Sequence, residues 1–238
     1  MDDAPATRDP DPAPHAAPGD LPAAAGHRED PGPGHRGAPE DAFRAVLCGD
    51  GLRRCPWAPA AGPALLEEHD RRWGVPPSDA PGWFEAVCLE ILRAGLSRRS
   101  IAERREGLHR ALRGFVPEDL ARLTDDDVDD LLLDPAVIRN RTKIEALVHN
   151  ARACAGMGPE DWARHVADLG PARAARPRTA LEAAGRSPAG DLLAARLKGA
   201  GVVFVGGTTA HRVLLRTGVL PGHLAGCFRA GTGTAGSG

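Results

Sequence analysis

The chain has 238 residues, of which 42% are apolar and 26% are charged, so it suits one domain or two small ones with a sizeable core. Its net charge of -2 excludes a protein that is basic throughout. The sequence contains no run of about 18 apolar residues, which is the length needed to span a bilayer. Met1 is followed by two acidic residues, so we expect a soluble, cytoplasmic protein without a signal peptide. The five cysteines suit buried thiols or metal ligands better than a disulfide scaffold.

The N-terminal segment has the composition of a disordered chain. Residues 1–42 contain nine of the 22 prolines, and only two large apolar side chains precede Phe43. Such a segment cannot bury enough apolar surface to offset the entropy lost on ordering. Its alternative role is an acidic decoy that competes with phosphates for a basic surface. We predict a disordered tail over residues 1–48, a folded domain over 49–230 and a flexible tail over 231–238.

The spacing of apolar residues after the tail is helical. Between Trp83 and Leu92 apolar side chains recur at steps of three and four, and Gly95 then ends the segment. Ser97 or Ser100 can begin the next helix. Further helices are predicted to begin at Pro117 and to span residues 125–133, 139–154, 159–169, 187–198 and 208–217. Residues 202–205 are predicted to be extended and residues 170–186 to form a loop. The sequence therefore predicts an all-α domain.

Four residues with soft metal-binding atoms lie near the two ends of the predicted domain. Thirteen residues separate Cys55 from His69, and three separate His223 from Cys227. Two thiolates and two imidazoles are the donors of a closed tetrahedral zinc site. A chain with five cysteines and nine histidines also contains such pairs by chance. The spacing alone is therefore compatible with a metal site and with four residues that have no common function.

Eight sequence blocks occur in an informative order. They are RCPW at 54–57, HDRRWGVP at 69–76, CLE at 88–90, AGLS at 94–97, VIRNRTKI at 137–144, NARA at 150–153, FVGGTT at 204–209 and HLAGCFR at 223–229. Together they closely resemble DNA-3-methyladenine glycosylase I over about three quarters of the chain. The resemblance implies a helix-hairpin-helix DNA glycosylase fold, a structural zinc that joins the N- and C-terminal parts, and excision of 3-methyladenine without a catalytic metal.

The resemblance assigns roles to individual residues. It places the zinc ligands on Cys55, His69, His223 and Cys227, with the first spacing one residue longer than we expect of the family. It places the base-recognising acid on Glu90, whose carboxylate would accept hydrogen bonds from an extruded base. Because Glu90 lies in an apolar run, its side chain is either on the outer face of the helix or buried for a purpose. The family's Gln three residues later is Arg93.

The base pocket departs from the family at several positions. Trp57 matches a pocket-lining aromatic, with a packed core indole as the alternative. The stacking Trp of the family is replaced by Arg98, and two pocket tyrosines by Glu68 and Leu65. An aromatic face attracts a cationic base by about 0.5–2 kcal/mol, whereas an arginine repels it. We hypothesise that Glu68 and Arg98 form an ion pair that still presents a flat guanidinium for stacking.

The predicted hairpin at residues 134–139 is the expected DNA-binding element. Its backbone N–H groups would contact a phosphate, with charge added by Arg139, Arg141 and Lys143. Such contacts position DNA without reading its sequence. Ala136 replaces the glycine usual in the family, and we expect it to strain a tight turn.

These observations predict a monofunctional DNA glycosylase that hydrolyses the N-glycosidic bond of 3-methyladenine or a related alkylated purine. The expected partner is double-stranded DNA with alkylated bases, bound by a monomer located at the nucleoid and not at a membrane. The alternative is a non-catalytic or altered-specificity DNA-binding paralogue of the same fold. A zinc-dependent hydrolase is disfavoured, because four protein ligands leave no coordination position for water.

Overall fold

The computed structural model describes residues 43–170 and 175–231, which are mainly helical. The predicted tails lie outside these residues, except for positions 43–48 and Gly231. Strand β1 (Val46–Leu47) pairs in antiparallel fashion with β2 (Arg53–Arg54), with Val46 opposite Arg54. The domain boundary predicted at residue 49 thus falls inside a hairpin.

The helices follow the predicted pattern closely. They are α1 (Pro63–Glu67), α2 (Ala80–Arg93), α3 (Arg98–Ala111), α4 (Pro117–Leu120), α5 (Asp125–Leu133), α6 (Arg141–Cys154), α7 (Pro159–Val166), α8 (Ala180–Ala183), α9 (Pro188–Gly199) and α10 (Gly207–Arg216). A π-helical turn, Glu68–Arg72, continues α1. Short helix α8 lies in the segment predicted as a loop. No described helix combines the length and the apolar composition needed to cross a membrane.

Side-chain caps explain several of the helix starts. Ser97 accepts a hydrogen bond from the backbone N–H of Ser100, which fixes the start of α3. Thr124 forms a capping box with Asp127 at the start of α5. Asn140 caps α6, so this helix begins two residues after the predicted start. Each cap satisfies an N–H group that has no partner within its helix.

The strand predicted over residues 202–205 is absent from this part of the described structure. The side chain of Asn150 on α6 takes the place of a neighbouring strand. Its amide nitrogen donates to the carbonyl of Val203 at 3.0 Å, and its oxygen accepts from the N–H of Val203 at 2.7 Å. Because the backbone groups of Val203 are satisfied in this way, the segment needs no sheet partner.

Helix α2 forms the centre of the core. Ten of its 14 residues are buried, which requires neighbours on most sides of the helix. It packs against α3, α6, α7 and α10. A second apolar cluster joins Ala45 and Cys55 to Leu224, Cys227 and Ala230, and so brings the two ends of the described chain together.

A tight hairpin joins α5 to α6. The carboxylate of Asp134 accepts a hydrogen bond from the N–H of Ala136 at 2.8 Å, and the carbonyl of Asp134 accepts from Val137 at 3.0 Å. The φ angle of Ala136 is not positive, so the backbone strain expected there is absent. Instead the methyl group of Ala136 packs against Gly107 on α3, where an added Cβ would stand 2.5 Å from the Cβ of Ala136.

This close approach predicts that a second substitution at Ala136 can reverse the loss of stability caused by a substitution at Gly107. The substitution Gly107→Ala forces two methyl groups together and should lower the free energy of unfolding by about 1–3 kcal/mol. Adding Ala136→Gly removes the opposing methyl group and should restore most of that loss. Urea denaturation of the single and double variants measures both effects. Equal losses in Gly107→Ala with and without Ala136→Gly would contradict the packing argument.

Candidate functional site

Four buried side chains form a compact cluster of potential metal ligands. One ligand atom from each of Cys55, His69, His223 and Cys227 lies within 4.8 Å of all the others. Cys55 follows β2, His69 lies in the π-helical turn, and the other two residues are in the C-terminal segment. The cluster therefore connects parts of the chain that are more than 150 residues apart.

The geometry of the cluster fits a tetrahedral ion. The sulfur of Cys227 is 3.4 Å from Nε2 of His69 and 3.7 Å from Nδ1 of His223, and the latter is 3.9 Å from the sulfur of Cys55. A zinc ion with bonds of about 2.0–2.3 Å has ligand atoms about 3.3–3.8 Å apart. These four residues can thus hold a metal ion.

Each histidine of the cluster is oriented by a hydrogen bond at its other ring nitrogen. Nδ1 of His69 lies 2.7 Å from the carboxylate of Asp70, and Nε2 of His223 lies 2.8 Å from the carbonyl of Trp73. Asp70 is itself held by Arg54, at 2.8 Å. Such outer contacts fix the tautomer and the direction of a metal ligand.

Glu90 is completely buried on α2, so the alternative of an outward-facing acid is wrong. One oxygen of its carboxylate accepts from Nε of Arg216 and the other from Nε of Arg93, both at 2.8 Å. Burial alone would raise the pKa of Glu90. The charges of Arg216, Arg93 and Arg98 outweigh this effect and lower that pKa to about 2, so Glu90 is ionised.

Glu68 is also buried and bonded to arginines. One of its oxygens accepts from Arg216 and the other accepts from Arg105 at 3.1 Å. Burial raises its pKa, but Arg216 and Arg105 together bring it below the usual value. The second nitrogen of Arg105 donates to Glu85 at 2.8 Å. We call the resulting chain of ion pairs the charged network. Its members are Glu85, Arg105, Glu68, Arg216, Glu90 and Arg93.

Arg98 lies beside this network, and no carboxylate of the described residues forms an ion pair with it. Its guanidinium carbon is 4.4 Å from the ring centre of Trp57 and 4.1 Å from that of Trp73. One guanidinium nitrogen, Nη1, is buried and has no hydrogen-bond partner in the part of the chain that the structure describes. The hypothesis that Arg98 pairs with Glu68 is thus wrong, because Arg105 and Arg216 hold that carboxylate. The guanidinium of Arg98 lies against the two indoles instead, and its stacking on a base stays a prediction.

Trp57 is the predicted pocket residue that contacts this arginine. Trp57 is half-buried, and its ring meets those of Trp73 and His69 edge-on, with centres 5.6 Å and 5.1 Å apart. It therefore connects the Arg98 stack to the metal-ligand cluster. Leu65 is buried on α1. A cavity of about 260 Å³ reaches the charged network from the side of residues 75–79, with Arg105 and Arg216 in its wall.

The predicted DNA contacts divide into two groups. Arg139 and Arg141 are exposed next to the hairpin, although Arg141 pairs with Asp129. Lys143 is directed elsewhere, since its ammonium donates to the carbonyls of Leu92 and Ala94. These carbonyls belong to the C-terminal end of α2, which attracts cations. The phosphate contact predicted for Lys143 is therefore replaced by a structural one.

Sequence reasoning missed the contacts that Trp73, Arg105 and Arg216 make at the site. Trp73 belongs to a conspicuous sequence block, but nothing in its spacing pointed to a contact with an arginine. Arg105 lies in the arginine-rich helix α3, where Arg99 and Arg110 are exposed. Arg216 occupies the last turn of α10, where a basic residue is common for its interaction with the helix dipole. Only the approach of α10 to α2 reveals its contact with Glu90.

The sequence and fold resemble those of known methyladenine glycosylases. The family model described as methyladenine glycosylase matches residues 57–230. DNA-3-methyladenine glycosylase 1 of Escherichia coli (strain K12) is 32% identical over 74% of this chain and 96% of its own length. A crystal structure of 3-methyladenine DNA glycosylase I matches 74% of the chain and 98% of its own, with 34% identity and a TM-score of 0.67. The structure of a variant of such an enzyme in complex with 3-methyladenine matches 72% of this chain and 95% of its own at 28% identity, with a TM-score of 0.64.

The buried charge of Glu90 predicts a specific dependence of stability on pH. Because its pKa in the folded protein, about 2, is below the usual 4.5, its contribution is complete above pH 4.5 and is lost as the pH falls towards 2. The substitution Glu90→Gln should flatten the decline of the unfolding free energy over this interval. It should also cost about 3–5 kcal/mol at neutral pH, because two buried arginines lose a partner.

Glu103→Gln is the matched control for this prediction. Glu103 forms an exposed pair with Arg99, and exposed pairs contribute at most about 1 kcal/mol. Denaturant titrations between pH 7 and pH 2.5 compare the three proteins. An unchanged slope in Glu90→Gln would show that another group controls the acid transition.

Proposed function

The chain belongs to the methyladenine glycosylase family, and we propose that it hydrolyses the N-glycosidic bond of an alkylated purine, 3-methyladenine or a related adduct, in DNA. The observation that carries the proposal is the buried, ionised carboxylate of Glu90, whose partner Arg216 and neighbour Arg98 both lie over the Trp73 indole. A glycosylase must extrude its base into a pocket, stack it and read its edge, and here the guanidinium of Arg98 would provide the stacking surface and Glu90 the charged reader. The relatives named above support the same reaction.

The proposed chemistry needs little from the protein beyond binding and orientation. The bond between C1′ of the sugar and the base nitrogen breaks, and its electron pair stays with the base. Water then adds its oxygen to C1′, which leaves an abasic site. Glu90 would orient the base, and its charge would favour the positive charge that develops on the sugar. No lysine lies in the charged network, which supports a monofunctional enzyme without a Schiff base.

Double-stranded DNA would be held at the hairpin between α5 and α6. The first turn of α6 presents backbone N–H groups at its N-terminal end, where the helix dipole favours a phosphate. The exposed side chains of Arg139 and Arg141 flank this turn. These groups would position the duplex, while the pocket selects the base.

We further propose that the cluster of Cys55, His69, His223 and Cys227 holds a structural zinc ion. The donor set, the burial and the oriented histidines support this choice. When bound, the ion would supply a crosslink between the two ends of the domain. Since the protein fills all four positions, the zinc would not activate water.

The zinc proposal predicts one zinc ion per purified chain by elemental analysis. Cys227→Ser should reduce the zinc content severalfold, and a chelator should lower the melting temperature of the wild-type protein. Cys48→Ser is the control. Cys48 lies outside the cluster, so this variant should retain the full zinc content of the wild type. Wild-type protein that contains no metal when purified from zinc-supplemented cells would refute the structural role.

The activity proposal predicts release of free alkylated purines from alkylated duplex DNA, measured by chromatography. Glu90→Gln should slow single-turnover release by about 100-fold, since a charged group that stabilises the transition state is lost. Glu103→Gln should release bases at the wild-type rate. Equal rates for wild type and Glu90→Gln, with both proteins folded, would remove Glu90 from the reaction.

A second function, DNA binding without excision, is favoured by one observation. Both oxygens of Glu90 are bonded to arginines, and Arg98 covers the indoles. A paralogue of this kind would retain the hairpin and bind duplex DNA but release no base from any alkylated substrate. Measuring duplex binding together with base release distinguishes the two functions.

A further inference from the structure

The site around the two indoles carries an excess of positive charge. Among the described residues of the charged network, three carboxylates face three guanidinium groups, and Arg98 adds a fourth cation. Burial and the neighbouring Arg93 lower the pKa of Arg98 to about 9, which still leaves it charged at neutral pH. A base bound against Arg98 would thus lie next to a cation that no carboxylate of the described residues neutralises by direct contact.

The hydrogen-bonding groups at this end of the network are also unbalanced. Each of the four oxygens of Glu68 and Glu90 already accepts from an arginine. In contrast, Nη1 of Arg98 is a buried donor without an acceptor. A buried unsatisfied donor is costly, and a ligand that supplies an acceptor removes this cost. The site is therefore complementary to an acceptor and not to a further donor or cation.

We propose that Arg98 makes this site select an uncharged alkylated purine that presents a hydrogen-bond acceptor, in preference to a cationic one such as 3-methyladenine in DNA. This inference rests on the proposed function and specifies its substrate class. Arg98 acts as the specificity-determining residue. Contact with Trp57 and Trp73 holds its guanidinium in place, with no ion pair to any described carboxylate.

Arg98 would also contribute to the cleavage step, in which the base leaves the sugar. A cationic base leaves the sugar as a neutral molecule, because the electron pair of the broken C1′–N bond cancels its charge. An uncharged base leaves with that pair as an anion. Water adds its oxygen to C1′, and the proton that it loses ends on the departed base. A positioned guanidinium N–H stabilises the negative charge that develops on the base during this step.

The test compares two lesions and two substitutions at one position. Single-turnover release is measured from a duplex with one 1,N6-ethenoadenine, which is uncharged, and from methylated duplex DNA for 3-methyladenine. Relative to the uncatalysed release of each base, wild type should accelerate release of the uncharged adduct at least about tenfold more, and Arg98→Met, which removes the charge, should reverse this preference. Arg98→Lys, which keeps the charge, should retain it. A larger acceleration of 3-methyladenine release by wild type, or an unchanged ratio of accelerations in Arg98→Met, would overturn the proposal.

A binding measurement separates this inference from the proposed function. Wild type and Arg98→Met are titrated with 1,N6-ethenodeoxyadenosine, which is uncharged, and with 1-methyldeoxyadenosine, which is cationic, while tryptophan fluorescence is followed. At least about tenfold tighter binding of the uncharged nucleoside by wild type, lost in Arg98→Met, supports the inference even if no base is ever released. Selective binding without release of any base would refute the proposed excision reaction and leave the inference about Arg98 standing. Equal or tighter binding of the cation, or no binding of either nucleoside, refutes the inference.

Discussion

Glu90 lies in the last turn of α2, the central helix of the core, where water cannot solvate its carboxylate, and much of the site is organised by the need to compensate its charge. Arg93 comes from the same helix and Arg216 from α10, so the pairing fixes how α10 lies against α2. Arg216 also bonds Glu68, which extends the pairing to the turn that carries His69. Breaking a buried pair is costly, because it leaves an uncompensated charge in the interior.

The metal-ligand cluster and the charged network are parts of one arrangement. Glu68 and His69 are adjacent in the same π-helical turn, one directed to the arginines and the other to the cysteines. Trp57 touches the ring of His69 and the guanidinium of Arg98. A bound ion that fixes this turn would thus also fix the position of Trp57 beside Arg98.

The pocket retains an aromatic surface, but the guanidinium of Arg98 covers it. In an aromatic cage that receives a cationic base, attraction between charge and ring provides binding energy. Here the guanidinium of Arg98 already makes that contact with both indoles. A base that carries its own positive charge would be repelled by Arg98, so an uncharged substrate suits this pocket better. Charge selection depends on a few side chains and not on the helices that carry them, so the pocket can differ from that of its relatives while the fold stays the same.

The sequence by itself determined the positions of most of the helices, because caps such as Ser97 and Thr124 and the spacing of apolar residues are local signals, but it missed the short helices α1 and α8. The resemblance to a family also pointed to Glu90 and to the four residues that form the Cys and His cluster. Only the tertiary structure decided the partners of the buried charges. Arg216 lies 126 residues from Glu90, and no local pattern distinguishes it from an ordinary C-terminal arginine. Charge pairing depends on distances between elements, so Glu68 bonds Arg105 and Arg216, while Arg98 stacks on Trp57 and Trp73.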